Sequence, residues 1–207
     1  MFQNSSKKFT KFTKGGGIDF LILDTAHIHP WETLNFLCVL PFMKNDSWVI
    51  LHDIGLSISR EEDLACRYLF SNVVSEEKLM PVSDIDSYFA NIGAFRVTED
   101  TRKYINNLFE SLVMAWQAIP VFFKKYTYWY ATPMLEEDLN GIRKIIKKYY
   151  PERYEFFENT VRIQGIIAQN RARKKGIAWK MIIVRCYPRL ARPLKKALDF
   201  FRRIIGH

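Results

Sequence analysis

The sequence predicts an α/β fold followed by a basic helical tail, and three observations carry that expectation. Two short, nearly continuous apolar runs, IDFLILD at residues 18–24 and WVILHD at 48–53, have the pattern of strands buried on both faces of a parallel sheet. The stretch between them carries apolar residues at helical spacing, which makes a β-α-β unit. The charge is also split. Residues 162–207 hold 13 Lys or Arg and one acid, Asp199, whereas residues 1–161 hold 18 bases against 21 acids, so the net +9 conceals an acidic body and a basic tail.

Taken in order, residues 1–17, MFQNSSKKFTKFTKGGG, form a flexible basic lead-in without the apolar core of a signal peptide. No apolar run of about 18 residues occurs anywhere, so a membrane-spanning helix is not expected and a cytoplasmic location is. After the first strand, Trp31, Leu34, Leu37 or Cys38, and Phe42 mark a helix. Pro30 stands in its first turn and Lys44-Asn45-Asp46 at its exit. The second strand is followed by SREEDLACRYLFSNVV, a helix with Ser59 as N-cap and acids in its first turn. KLMPV then reads as a short strand, NIGAFRVT as a further strand, and EDTRKYINNLFESLVMAWQAI as the helix after it.

With 207 residues, 48% of them hydrophobic, the chain can bury a real core. It divides into the lead-in, an α/β domain at 18–120, a helical extension at 121–161 and the basic tail at 162–207. The aromatic run VFFKKYTYWY at 121–130 is read as core or interface in preference to a stacking platform. LEEDLNGIRKIIKKYYPERYEFFENTVRIQ is an amphipathic helical region with Leu139, Ile142, Ile145 or Ile146, and Tyr149 on one face.

Open parallel sheets bind ligands outside the carboxyl ends of their strands, where loops and helix N-termini converge. Asp24, His27, His52 and Asp53 all fall at such ends, so the ligand site is expected there. His29, before Pro30, is read as a loop residue. The cysteines, Cys38, Cys66 and Cys186, are too widely spaced to indicate a disulfide framework or a thiolate zinc site.

IDFLILDTAH, a helix and then WVILHDI together resemble the second half of class I S-adenosylmethionine-dependent methyltransferases. The resemblance is to the branch related to cephalosporin hydroxylase and macrocin O-methyltransferase. NIGAFRVTEDTRKYINNLFESLVMAWQAIP is similar to the downstream part of methyltransferase-like proteins found among bacterial surface-polysaccharide genes. The resemblance spans about residues 18–120. It implies a partial Rossmann-like sheet with strands equivalent to 4-5-7-6 of the usual order 3-2-1-4-5-7-6, and a link to surface polysaccharide biosynthesis. It further implies Asp24, His52 and Asp53 as ligands of magnesium or manganese, with His27 and His52 as catalytic residues. Such an ion would orient a sugar hydroxyl and lower its pKa.

S-adenosylmethionine is the cofactor implied, but KGGGID has no G-x-G turn into a helix, and weak or no binding by this chain alone is expected. The same residues would also serve a metal-dependent hydrolase, or survive in a non-catalytic scaffold. The strand at 18–24 would be an exposed apolar edge that a second chain or the lead-in pairs with.

In the tail, Leu190, Leu194, Leu198, Phe201 and Ile204 or Ile205 line one helical face, with Arg189, Lys195, Lys196, Arg202 and Arg203 around the rest. A basic amphipathic helix over 189–205 suits an anionic membrane surface. No nucleic-acid module is recognisable, so no specific nucleic-acid partner is expected.

Overall fold

A computed structural model of the chain describes residues 17–25, 27–52, 54, 65–80, 92–120 and 133–186. It divides into two compact units, Met1–Gly165 and Ile166–His207. The described residues form a mixed α/β structure with a four-stranded mixed sheet, a separate two-stranded pair and six α-helices.

Strand β1, Ile18–Leu23, leads through helix α1, Trp31–Val39, and a 3-10 turn, Leu40–Phe42, into β2, Met43–His52. The two apolar runs thus pair in parallel, with Leu21 opposite Val49 and Leu23 opposite Leu51. Pro30 is the N-cap of α1 and lies one residue outside the first turn, its carbonyl accepting from Leu34 N–H at 2.9 Å. Within α1 only Asn35 is not buried, which suits a crossover helix packed on the sheet and under later helices. Gly17 lies where β1 meets β2: an added Cβ would stand 2.9 Å from the Phe42 carbonyl oxygen. Its missing side chain therefore serves the close approach of two backbones.

Helix α2, Ala65–Asn72, precedes β3, Lys78–Leu79, and β4, Ile92–Arg96. The sheet order is β1-β2-β4-β3, and β4 is antiparallel to both neighbours. Register separates the faces: Leu21, Val49 and Phe95 stand in one row, and Leu23, Leu51 and Gly93 in the next. Leu23, Val49, Leu51 and Phe95 are buried, with Phe36 of α1 edge-on to Phe95 at 5.2 Å. The alternate row, Ile22, Ile50 and Ala94, lies on the other face, where Phe20 and Ile22 are 52% and 61% exposed, so β1 is covered on one face only and not on both as its apolar run predicts.

The single helix expected over residues 99–119 is two, α3 at Glu99–Lys103 and α4 at Asn106–Ser111. Thr98 and Thr101 close a reciprocal capping box at the start of α3. The break follows from bonding at Tyr104 and Ile105, where Ile105 N–H turns to the Arg102 carbonyl three residues back. The predicted last turns are drawn away by tertiary partners. Trp116 N–H donates to Gln164 Oε1 at 2.9 Å, and Gln117 and Ala118 N–H both donate to the His29 carbonyl.

Strands β5, Ile119–Pro120, and β6, Pro133–Met134, pair in parallel. Helix α5, Glu136–Tyr149, has three acids in its first turn and Lys147 and Lys148 in its last, matching the helix dipole at both ends. Leu139, Ile142 and Ile146 form its buried face, as the periodicity predicts, while Tyr149 is half-buried. The helical region is interrupted at Tyr150–Pro151, where a 3-10 turn, Pro151–Arg153, leads into α6, Tyr154–Cys186. The Tyr150 hydroxyl donates to the Leu37 carbonyl at 2.9 Å and ties this corner to α1. Among the described residues no helix is long and apolar enough to cross a membrane. Ser59, the aromatic run at 121–130 and the stripe at 189–205 lie outside the described residues.

Candidate functional site

Asp24 directly follows β1, and His52 is the last residue of β2, so the parallel pairing of the two strands brings both to one end of the sheet. His27 joins them from the β1–α1 connection, where its φ of 53° puts a non-glycine residue in the left-handed region. That turn brings the imidazole back over the strand ends. One oxygen of Asp24, Oδ1, faces His27 Nε2 at 3.4 Å and His52 Nδ1 at 3.5 Å. The two rings are 6.3 Å apart and tilted by 49°. Side-chain exposure falls from Asp24, 60%, through His52, 43%, to His27, 19%, so the cluster opens outward through the carboxylate. Asp53, the fourth expected member, lies outside the described residues.

The donor set fits a divalent ion. Ligand atoms of Asp24, His27 and His52 lie within 4.8 Å of one another, and a carboxylate with imidazole nitrogen is a borderline set open to manganese, iron or zinc. Of the KGGG run, Gly15 and Gly16 lie outside the described residues. Gly17, the described member of the glycine run, is spent on packing β1 against Phe42 and Lys44.

Beneath this cluster lie two residues that spacing did not single out, Glu32 and Cys66. Glu32 occupies the first turn of α1 and is fully buried, with Thr25 Oγ1 donating to its Oε1 at 2.6 Å. Burial raises the pKa of its carboxyl, an effect the Thr25 hydroxyl and the nearby His27 oppose. Cys66, 1% exposed on α2, places its Sγ 3.7 Å from His27 Nδ1. An acid within an otherwise buried helix was the one sequence signal available.

His29 is not part of the cluster. Its ring is buried, packs edge-on to Tyr68 at 5.2 Å, and its backbone receives Gln117 and Ala118. Burial lowers its pKa to about 4, opposed in part by the Met114 backbone. Because the folded value lies below the unfolded one near 6.5, the unfolded chain binds the extra proton between these limits, and stability falls as pH is lowered through them. The full loss, reached below about pH 4, is on the order of 3 kcal/mol. Urea unfolding of the protein and of His29→Leu at pH 7 and pH 4.5 should show a distinctly shallower pH dependence in the variant. Equal slopes would contradict the assignment.

A separate cleft among the described residues, bounded by Leu40, Pro41, Arg102, Ile105, Tyr149, Tyr150 and Glu152, lacks any of these groups. Its one guanidinium, Arg102, donates to the Leu40 and Met43 carbonyls and to Asn45 Oδ1, which makes it a brace for the α1–β2 corner. Comparison with known proteins finds no family, no curated protein and no solved structure that matches the chain.

Proposed function

We propose that the chain is a methyltransferase-like protein of surface polysaccharide biosynthesis that binds a sugar hydroxyl at a divalent ion held by Asp24 and His52. The observation that carries this reading is the convergence of Asp24, His27 and His52 at the carboxyl ends of two adjacent parallel strands. The sheet order is compatible with this reading: β4 lies between β2 and β3 and is antiparallel to both, as a strand inserted in a 4-5-7-6 order would be.

Magnesium or manganese at this position would lower the pKa of a coordinated hydroxyl. The chain's own groups arrange the site. Asp24 presents one oxygen to both imidazoles, and His27, held from behind by the left-handed turn, keeps that carboxylate oriented between the strand ends. On this reading β1, the terminal strand of the sheet among the described residues, would pair along its outer edge with a second chain or with the lead-in. The basic stripe at 189–205 would carry the protein to anionic lipid at the inner face of the membrane.

Calorimetric titration of the full chain with oligosaccharides from surface glycans, with and without manganese, tests the proposal. Binding that requires the ion is expected, with weak or no uptake of S-adenosylmethionine. Absent or ion-independent oligosaccharide binding would overturn the acceptor reading, and glycan cleavage in the same mixture would move the site to the hydrolases.

A further inference from the structure

We infer that the inner side of His27 forms a second metal site, in which His27 Nδ1, Glu32 and Cys66 hold a zinc-like divalent ion. One ligand atom from each of the three residues lies within 4.8 Å of the other two. Zinc–sulfur and zinc–nitrogen distances of about 2.3 and 2.05 Å give a tetrahedral S···N edge of about 3.6 Å. The Cys66 Sγ to His27 Nδ1 separation of 3.7 Å is close to that edge.

Glu32 supplies an independent reason. Its carboxyl is fully buried, one oxygen accepts from Thr25, and Oε2 has no hydrogen-bond partner among the described residues. Without a cation a carboxyl so removed from water is held toward its protonated form, and a cation at the unpaired oxygen would stabilise the carboxylate in its place. Among the three donors Glu32 and Cys66 are buried and His27 is half-buried, so the site is nearly closed to solvent.

The outward side of His27 has the arrangement a ligating imidazole needs. Its Nε2 faces Asp24 Oδ1 at 3.4 Å, and a metal-bound histidine characteristically gives its other N–H to a carboxylate, which fixes tautomer and ring orientation. A thiolate, an imidazole and a carboxylate select zinc, cobalt or iron over magnesium and calcium. The inner ion would anchor the β1–α1 connection to α2 and hold His27 where it meets Asp24. This inference does not rest on the outer ion or on any sugar chemistry, because Glu32 and Cys66 take no part in that cluster.

The test uses the full chain, stripped with a chelator and titrated with cobalt(II), then zinc(II). Intense near-ultraviolet absorption from thiolate-to-cobalt charge transfer is expected, with visible bands of tetrahedral strength that zinc abolishes. Cys66→Ser should lose the charge-transfer band, and Cys38→Ser should keep it. Glu32→Gln should weaken zinc binding by more than about 100-fold, beyond what loss of an outer-shell partner causes. Asp24→Ala, which removes the outer cluster's carboxylate, should retain the band; its loss there would merge the two sites and overturn the proposal. The weak spectrum of octahedral cobalt in the unsubstituted protein, or a band that survives in Cys66→Ser, would also overturn it. Should Cys66→Ser fail to fold, the unsubstituted protein and Glu32→Gln decide the matter.

Discussion

Phe95→Ala is expected to destabilise the α/β unit by about 3–5 kcal/mol, a large part of a typical domain's stability. Phe95 is fully buried in β4, opposite Val49 of β2, and its ring meets Phe36 of α1 edge-on at 5.2 Å. Truncation therefore removes transfer free energy, leaves a cavity between sheet and helix, and deletes an aromatic pair. Neighbours on both sides are themselves fixed, Val49 and Leu51 by the parallel ladder and Leu34 and Leu37 by α1, so the site cannot collapse cheaply. Phe20→Ala is the matched control, because Phe20 is 52% exposed on the opposite face and its loss should fall within about 0.5 kcal/mol. Urea unfolding should show a lower midpoint for Phe95→Ala at unchanged slope. Similar losses for the two variants would mean that the faces of the sheet are assigned the wrong way round.

Asp24→Ala is expected to remove the response of the folded state to manganese while leaving the fold intact. The side chain is 60% exposed, so its truncation uncovers little buried surface. If the ion binds the native state alone, manganese at 100 times its dissociation constant stabilises by about 2.7 kcal/mol, and the variant should lose essentially all of it. Melting temperatures with and without manganese measure this directly. Because the same oxygen faces both imidazoles, the effect should exceed that of replacing either histidine alone.

The parts of this architecture that were legible in the sequence are those set by local pattern. IDFLIL and WVIL are apolar at nearly every position, and the stretch between them is long enough for one crossover helix, so β1, α1 and β2 follow from periodicity and chain order. The strand over Ile92–Arg96 was legible for the same reason. What failed was an end determined at a distance. Nothing in MAWQAI says that its backbone donors will be taken by Gln164 and by the His29 carbonyl, which is why the helix after Glu99 was drawn too long.

The strand-end cluster was half legible. Asp24 and His52 could be placed from the strand ends, and His27 from its distance to Asp24. Glu32 could not, because an acid in a first turn ordinarily complements the helix dipole and faces water. Cys66 comes from a helix that follows the second strand in sequence, and a lone cysteine carries no spacing signal. His29 was read as a loop residue and does lie in a connection, but its burial depends on Tyr68 and on the segment at Gln117, both remote in sequence.

The central claim is that Asp24 and His52 bind one divalent ion at the sheet's carboxyl end, and magnetic resonance of bound manganese tests it most directly. One manganese per chain is predicted, with coupling to an imidazole nitrogen that disappears in His52→Ala and with binding lost in Asp24→Ala. A manganese spectrum indistinguishable from the fully hydrated ion, or nitrogen coupling that persists unchanged in His52→Ala, would contradict the account.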